Sequence, residues 1–469
     1  MRQFGSLGAL TAVVMLLSLF PAAPGRADVT LAIDIDHGRV PQLFDDHMML
    51  QRDTNAAVYG EADPGETVSV SVAGQTKTTV TPASGHWRVE LDPVPAGGPY
   101  DLVIQGNNTI TLHDVLFGDI WVLSGQSNMM IKRPWPGEVD DYPNARVFKT
   151  TWTSRPGGLP FDFARTLNED LGVPVGVLQR AMRGSSGLVR TWLGPSVVDS
   201  TDPVIQEVVA TGDYGQSYEA VIDGVTGFAV KGFIWWQGAS DIRRRADPGP
   251  FYSHAFPAMI QSWRNAWNRG DLPFLFLQES VGRGLQPEQP LPSPYPAADN
   301  DDPFPVARMR QAFIEGLALP ETQVITSSDL VGGLHPKDRA GYLLRIESAV
   351  LGFVYGYDMT FTGPTYQGMS IEDGNKVRIR FREHTANELH SRGPLQGFSI
   401  TADRQHYVWA NAEIQGEEVV VWSDDVPTPV EVRYGYDEDY TFANLFNYSE
   451  IGELGCPTFT TDAAPAPWP

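Results

Sequence analysis

The sequence holds a single cysteine, Cys456, near its far end, and that scarcity removes several chemistries at once. No intrachain disulfide can form, no cysteine follows the amino-terminal apolar stretch to carry a lipid, and neither thiol chemistry nor a cysteine-ligated structural zinc is open to the chain. Metal-ligand spacings are missing too, with no His-x-x-x-His and no cysteine pair, so no metal and no cofactor is expected. Positive charge is scarce: 34 Lys and Arg stand against 57 Asp and Glu, a formal net charge of −23. Uncompensated carboxylates repel phosphate, which argues against nucleic acid or an anionic membrane as partner and leaves a neutral or locally recognised anionic small molecule.

The apolar run from Leu7 to Phe20 is short of the ~20 residues that a membrane-spanning helix needs. Arg2 precedes it, and Gly25 and Ala27 supply small residues at the −3 and −1 positions before Asp28, so residues 1–27 read as an export signal, an uncleaved anchor being the alternative. The mature chain is expected to be periplasmic or extracellular, with no membrane contact once the signal is cleaved. Its 42% hydrophobic and 19% charged residues describe a folded protein, and 469 residues at ~150 per domain allow two to four domains.

Two periodicities divide the chain. Between about Val40 and His113, Val68 to Val72 alternates strictly, as do Trp87, Val89 and Leu91, with turns at Asp63-Pro64-Gly65, Ser84-Gly85 and Ala96 to Pro99. This predicts a small β-sandwich over residues 28–113. Beyond Gly118 a helical period takes over: Phe161, Ala164, Leu167 and Leu171 share a face that Gly172-Val173-Pro174 terminates, and Phe256, Met259, Ile260, Trp263 and Trp267 share another. Apolar runs at Val175–Leu178, Val230–Trp236 and Pro273–Leu277 alternate with these helices, the pattern of a parallel sheet covered on both faces, placed at 114–356. Gly282 to Pro305, rich in Pro and Asp, reads as a disordered loop or a site rim. After Tyr357 the strand period returns at Val377, Ile379 and Phe381, giving a C-terminal β domain over 357–469. The β segments are expected to pack as separate modules against the α/β domain.

Within this frame one stretch concentrates polar chemistry, Gly118-Asp-Ile-Trp-Val-Leu-Ser-Gly-Gln-Ser-Asn-Met-Met130. Ile120 to Leu123 reads as a buried strand, and Ser127 then falls just past its C-terminal end, where open α/β sheets place their ligands. A serine there suits a nucleophile as well as an ordinary turn or helix cap. Among nine histidines, His335 is the best candidate base, because Gly332-Gly333 and the strand Gln323–Thr326 before it lead to the same sheet edge.

Gly125-Gln126-Ser127-Asn128-Met129 after Gly-Asp-Ile-Trp resembles the nucleophile block of the sialate O-acetylesterase family, a carbohydrate-acetylesterase branch of the SGNH hydrolases. The likeness extends to Leu43–Arg52 with Ala62–Glu66, to the histidine block Asp329–Gly341, and to Asn444–Asn447 with Pro457–Phe459. It implies an SGNH-like α/β domain flanked by β domains, and an exported serine esterase that removes O-acetyl groups from sialic acid or another acetylated glycan. Ser127 would attack, His335 would accept and return the proton, and Gly184 (backbone) and Gln237 (side-chain amide) would serve the oxyanion together with the Ser127 N–H. Two positions depart from the pattern: Ala239 stands where relatives commonly have Glu, and Gly332 where other SGNH enzymes have Asp. The imidazole is then oriented by Asp329, by Asp241 or, in a Ser-His dyad, by no acid but a backbone carbonyl, and a catalytically impaired carbohydrate-binding relative stays as the alternative.

Overall fold

The structure, a computed structural model, describes residues 30–31, 43–130, 142–155, 157–183, 187–244, 248–278, 305–327, 329–330, 335–336, 339–437 and 442–462. At its centre lies a sheet whose strands run in the spatial order Trp152–Thr153, Ala145–Phe148, Val175–Ala181, Thr109–Gly125, Gly232–Trp236, Phe274–Leu277 and Thr322–Ile325. Neighbours are parallel throughout except for the antiparallel edge strand Trp152–Thr153.

The continuous apolar runs exist because alternate residues enter two different cores. Ile120, Val122, Phe233, Trp235, Phe274 and Phe276 pack with the helix Gly249–Trp267, whereas Trp121, Leu123, Val177, Ile234, Leu275 and Ile325 pack with the helices Leu159–Leu171 and Ala340–Ala349. Each fully buried large side chain contributes on the order of 1.5–3 kcal/mol. The helix faces lie where the period puts them: Phe161, Ala164 and Leu167 are buried, Gly172 ends their helix at φ 65°, and Phe256, Met259, Ile260, Trp263 and Trp267 are buried on the longer helix. The expected fold class, a parallel sheet with helices on both faces and additional β domains, is the one observed.

The boundary expected between residues 113 and 114 falls inside a single strand. Thr109–Gly125 pairs antiparallel with Gly97–Gln105, then parallel with Met49–Gln51, and finally with Val175–Ala181 and Gly232–Trp236. Val115 to Gly125 is buried without interruption, so nothing in the strand stops it from carrying the pairing of the first sandwich straight into the central sheet. The cores merge accordingly, with Val70, Trp87, Leu102 and Ile104 in one cluster with Phe233 and Trp263. The first β segment is therefore hydrogen-bonded into the central sheet, not packed against it as a separate module.

From Tyr366 onward three antiparallel sheets enclose a core of their own, which includes Val377, Ile379, Val421, Val432 and Phe459. Gln278 and Arg310 reach this module at Thr458, through bonds of 3.2 Å (Thr458 N–H to Gln278 Oε1) and 3.0 Å (Arg310 Nε to Thr458 Oγ1). The stretch expected to be a disordered loop or a site rim, from Gly282 up to the helix Pro305–Glu315, lies outside the described residues.

Candidate active site

Gly125 makes the site possible. Its φ is 116°, and a Cβ would sit 2.2 Å from the Trp236 carbonyl oxygen, so only glycine lets the two strand ends come this close. Gln126 N–H then bonds to Trp236 O at 2.9 Å, Met182 N–H bonds to Gly125 O at 3.0 Å, and the chain turns off the sheet into the short 3-10 helix Ser127–Met130. Ser127 thus stands just past the carboxyl end of the first parallel strand, at the point where the strand order changes direction.

His335 meets it there, with Nε2 2.7 Å from Ser127 Oγ although 208 residues separate them in sequence. For Nε2 to accept the seryl proton, the ring hydrogen must sit on Nδ1. Desolvation at the contact, followed by the positive charges of Arg339 and Arg243, holds the pKa of this exposed imidazole below its usual value, so the ring is held in its neutral form, able to accept a proton but as a weaker base.

The two aspartates that could orient the ring are both engaged elsewhere. Asp329 accepts from Arg345 Nη1 and Nη2 at 2.5 and 2.6 Å, one oxygen to each nitrogen, and the same guanidinium donates to Thr326 O and Glu453 O. Asp241 is fully buried, where its Oδ2 accepts from Val189 N–H at 3.0 Å and from Gln237 Nε2 at 2.6 Å. Among the described residues no carboxylate hydrogen-bonds to the His335 imidazole. Ala239 opens the helix Ala239–Arg244 as a fully buried methyl.

The structure corrects the expectation for Gln237. Its side chain is wholly buried, its amide nitrogen donates to Gly187 O and to Asp241, and its carbonyl oxygen accepts from the Tyr252 hydroxyl at 2.9 Å. Both amide hydrogens are therefore occupied inside the protein, and Gln237 braces the Gly187–Val189 segment instead of presenting a donor to an oxyanion. Gly184 lies outside the described residues.

Sequence reading missed three participants. Tyr252 joins the buried chain from Trp235 through Gln237 to Asp241, and Arg339 places Nη2 3.5 Å from Asn128 Oδ1 beside the nucleophile. Arg243 acts on the same imidazole. The available signal for the arginines was the spacing of Arg339 four residues after His335, and of Arg243 two residues after Asp241.

No family model matches the chain. Similar proteins are the sialate O-acetylesterase of Homo sapiens, 26% identical over 399 residues that cover 70% of this chain and 73% of that protein, and that of Mus musculus, 26% identical over 80% and 84%. The crystal structure of a carbohydrate acetylesterase from Xanthomonas citri superposes with a TM-score of 0.74 at 28% identity, covering 91% of this chain and 99% of that one. The resemblance carried by the short motifs thus extends over most of the chain.

Proposed function

We propose that in this carbohydrate O-acetylesterase, a relative of the sialate O-acetylesterases, Ser127 and His335 work as a dyad that transfers the acetyl group of an acetylated sugar to water. The 2.7 Å contact between Ser127 Oγ and His335 Nε2 carries the reading. Oγ attacks the acetyl carbonyl carbon as its proton passes to Nε2, and the tetrahedral oxyanion forms near the Ser127 N–H and, in this reading, the Gly184 N–H. Collapse breaks the bond to the sugar oxygen, which leaves with the proton from the imidazolium. A water then loses a proton to His335 and attacks the acyl-serine, releasing acetate and regenerating Oγ–H.

No aspartate is assigned to the imidazole. Desolvation and two arginine charges disfavour the imidazolium, so the base is neutral but gains no carboxylate's stabilisation as it takes the proton. The same absence favours the competing reading, a carbohydrate-binding relative without turnover. Hydrolysis of p-nitrophenyl acetate decides between them: the wild-type protein should turn over and Ser127→Ala should not. Wild-type turnover retained in Ser127→Ala would remove the nucleophile assignment, and its absence from both would support the binding protein. Export belongs to the same proposal and rests on the apolar Leu7–Phe20 run and on Gly25-Arg26-Ala27. An N-terminal sequence of the secreted protein beginning at Asp28 would agree with it, and retention of Met1 in the exported protein would not.

A further inference from the structure

Away from the Ser127 edge, the C-terminal module holds an opening of its own. A cavity of about 360 Å³ lies beside the hairpin of the strands Tyr366–Glu372 and Lys376–Phe381, and the turn that enters the strand Glu418–Trp422 closes one side of it. Small-molecule sites are of this size, ~300–1,000 Å³, but they are mostly apolar and this one is not. Phe381 and Ala386 belong to the module's core and offer only a small floor. Arg380 and Arg382 bring charged donors, and Gln367 and Asn387 bring amides. Glu383, Glu417 and Glu418 bring acceptors, and the imidazole of His384 can serve either way.

The polar groups are held in place by the protein itself. Arg380 donates from Nη1 to Ser370 Oγ at 2.9 Å and from Nη2 to Met369 O at 3.2 Å. Arg382 Nη2 reaches out of the module to Leu317 O at 3.1 Å, and Asn387 Nδ2 donates to Thr360 Oγ1 at 3.2 Å. Arg378 Nη1 holds Glu418 at 2.9 Å. These bonds leave Arg382 Nε and Nη1, and Asn387 Oδ1, without a partner among the described residues. Neither Arg380 nor Arg382 has an ion pair among them, although burial lowers the pKa of Arg382 and Glu383 is its neighbour in sequence.

The mixture of charges decides what fits. An anion meets three carboxylates, a cation meets two guanidinium groups, and an apolar molecule strands the polar lining without water. A neutral polyhydroxyl ligand incurs none of these costs, because each hydroxyl both donates and accepts and so matches arginine and amide N–H groups as well as carboxylate oxygens.

We propose that this cavity is a second carbohydrate site, which holds a neutral, unacetylated stretch of a glycan chain. It shares no residue with the nucleophile turn or with His335, so the binding does not depend on the acetylesterase reading. Its benefit to turnover does rest on that reading: two holds on one chain make the second contact intramolecular, which raises the apparent affinity for a polymer and leaves the chemistry on a short ester unchanged.

The test is calorimetric titration of the protein carrying Ser127→Ala with neutral β-1,4-linked tetrasaccharides of xylose, glucose, mannose and galactose, and with tetragalacturonate as the charged control. At least one neutral tetrasaccharide should bind, and tetragalacturonate should bind less tightly. Arg382→Gln should weaken that binding about tenfold, the order of one charge-assisted hydrogen bond, and Asn387→Ala should weaken it by a smaller factor. Gln367→Ala, at an exposed position, should also weaken it and keeps the test open if Arg382→Gln fails to fold. With Ser127 restored, the same variants should hydrolyse p-nitrophenyl acetate at the wild-type rate and lose kcat/KM on an acetylated polysaccharide but not on an acetylated monosaccharide. Absence of binding by every neutral tetrasaccharide, or binding that the variants leave unchanged, would overturn the proposal, the second outcome placing the sugar at the Ser127 edge. Tighter binding of tetragalacturonate would overturn it too, because the charge argument would then be wrong. Intact binding in a protein whose wild type hydrolyses no acetyl ester would sink the acetylesterase reading alone.

Discussion

Replacing Asp329 by Asn separates a catalytic carboxylate from a structural one. Both oxygens of Asp329 bond to Arg345, whose side chain is 7% exposed against 16% for the aspartate, and Arg345 in turn donates to Glu453 O in the C-terminal module. Breaking a buried ion pair from one side costs roughly 3–5 kcal/mol, and since asparagine keeps one carbonyl acceptor the lower end applies, about 3 kcal/mol. In a domain of this size a kcal/mol moves Tm by roughly 2–4 °C, so Tm should fall by about 6–12 °C. Turnover is predicted to behave differently. An aspartate that orients the catalytic histidine is worth ~10⁴ in kcat when changed to Asn. Asp329→Asn, assayed below its new Tm, should instead keep kcat within about threefold, with the acid limb of the pH profile unmoved. Thermal denaturation and a p-nitrophenyl acetate pH profile read both quantities. An unchanged Tm together with a collapse of kcat would show that Asp329 serves His335 in solution and that its pairing with Arg345 has been misjudged.

The acid limb itself has a predicted position. His335 must be neutral to act, and because its pKa lies below the ordinary value, kcat/KM should persist as pH falls below ~6.5 and decline only lower; a wild-type limb above that value would contradict the assignment. Arg339→Gln removes one of the depressing charges and should move the limb upward. Gly125→Ala should lower stability by about 1–3 kcal/mol from the positive φ alone, and should cut kcat more than the melting shift explains, because relieving the contact with Trp236 O displaces Ser127. Equal kcat and Tm in the alanine variant would show that the turn has another way to form.

What was legible in the sequence was local. Period two and period 3.6 identified strands and helices because each element buries one set of side chains, and Gly172 and the apolar runs marked their ends. The closeness of Ser127 and His335 followed from a rule of topology, that loops after parallel strands gather at one edge. Pairing between distant polar groups was not legible. Asp329 and Asp241 were equally good partners for an imidazole on composition, and only the positions of Arg345, Val189 and Gln237 show where their oxygens are directed. Gln237 failed for the same reason: the residue type promises a donor, but the hydroxyl of Tyr252 and the carbonyl of Gly187 decide which way its amide faces. The domain boundary was hidden because polar residues up to Asp114 and apolar ones after it look like two elements, while hydrogen bonding along a strand is indifferent to that change.

That continuous strand alters the role of the first sandwich. Midway along it Asp119 is almost fully buried, and its oxygens accept from Arg52 Nε at 3.0 Å, Arg52 Nη2 at 2.9 Å, Gln51 Nε2 at 2.9 Å and the Tyr355 hydroxyl at 2.8 Å. Gln51 also accepts from Ile120 N–H at 2.8 Å. Arg52 and Gln51 come from the sandwich and Tyr355 from the end of the α/β domain, so the carboxylate clamps separated segments to one point of the strand. Roughly 20 Å further along, at ~3.3 Å per residue, the strand ends at Gly125. A strand paired on both sides and clamped at mid-length transmits little motion to its tip, and a nucleophile must be held within about half an ångström of its working geometry. The sandwich therefore acts as the mount of the nucleophile strand, which is why it shares a core with the sheet instead of hanging from it.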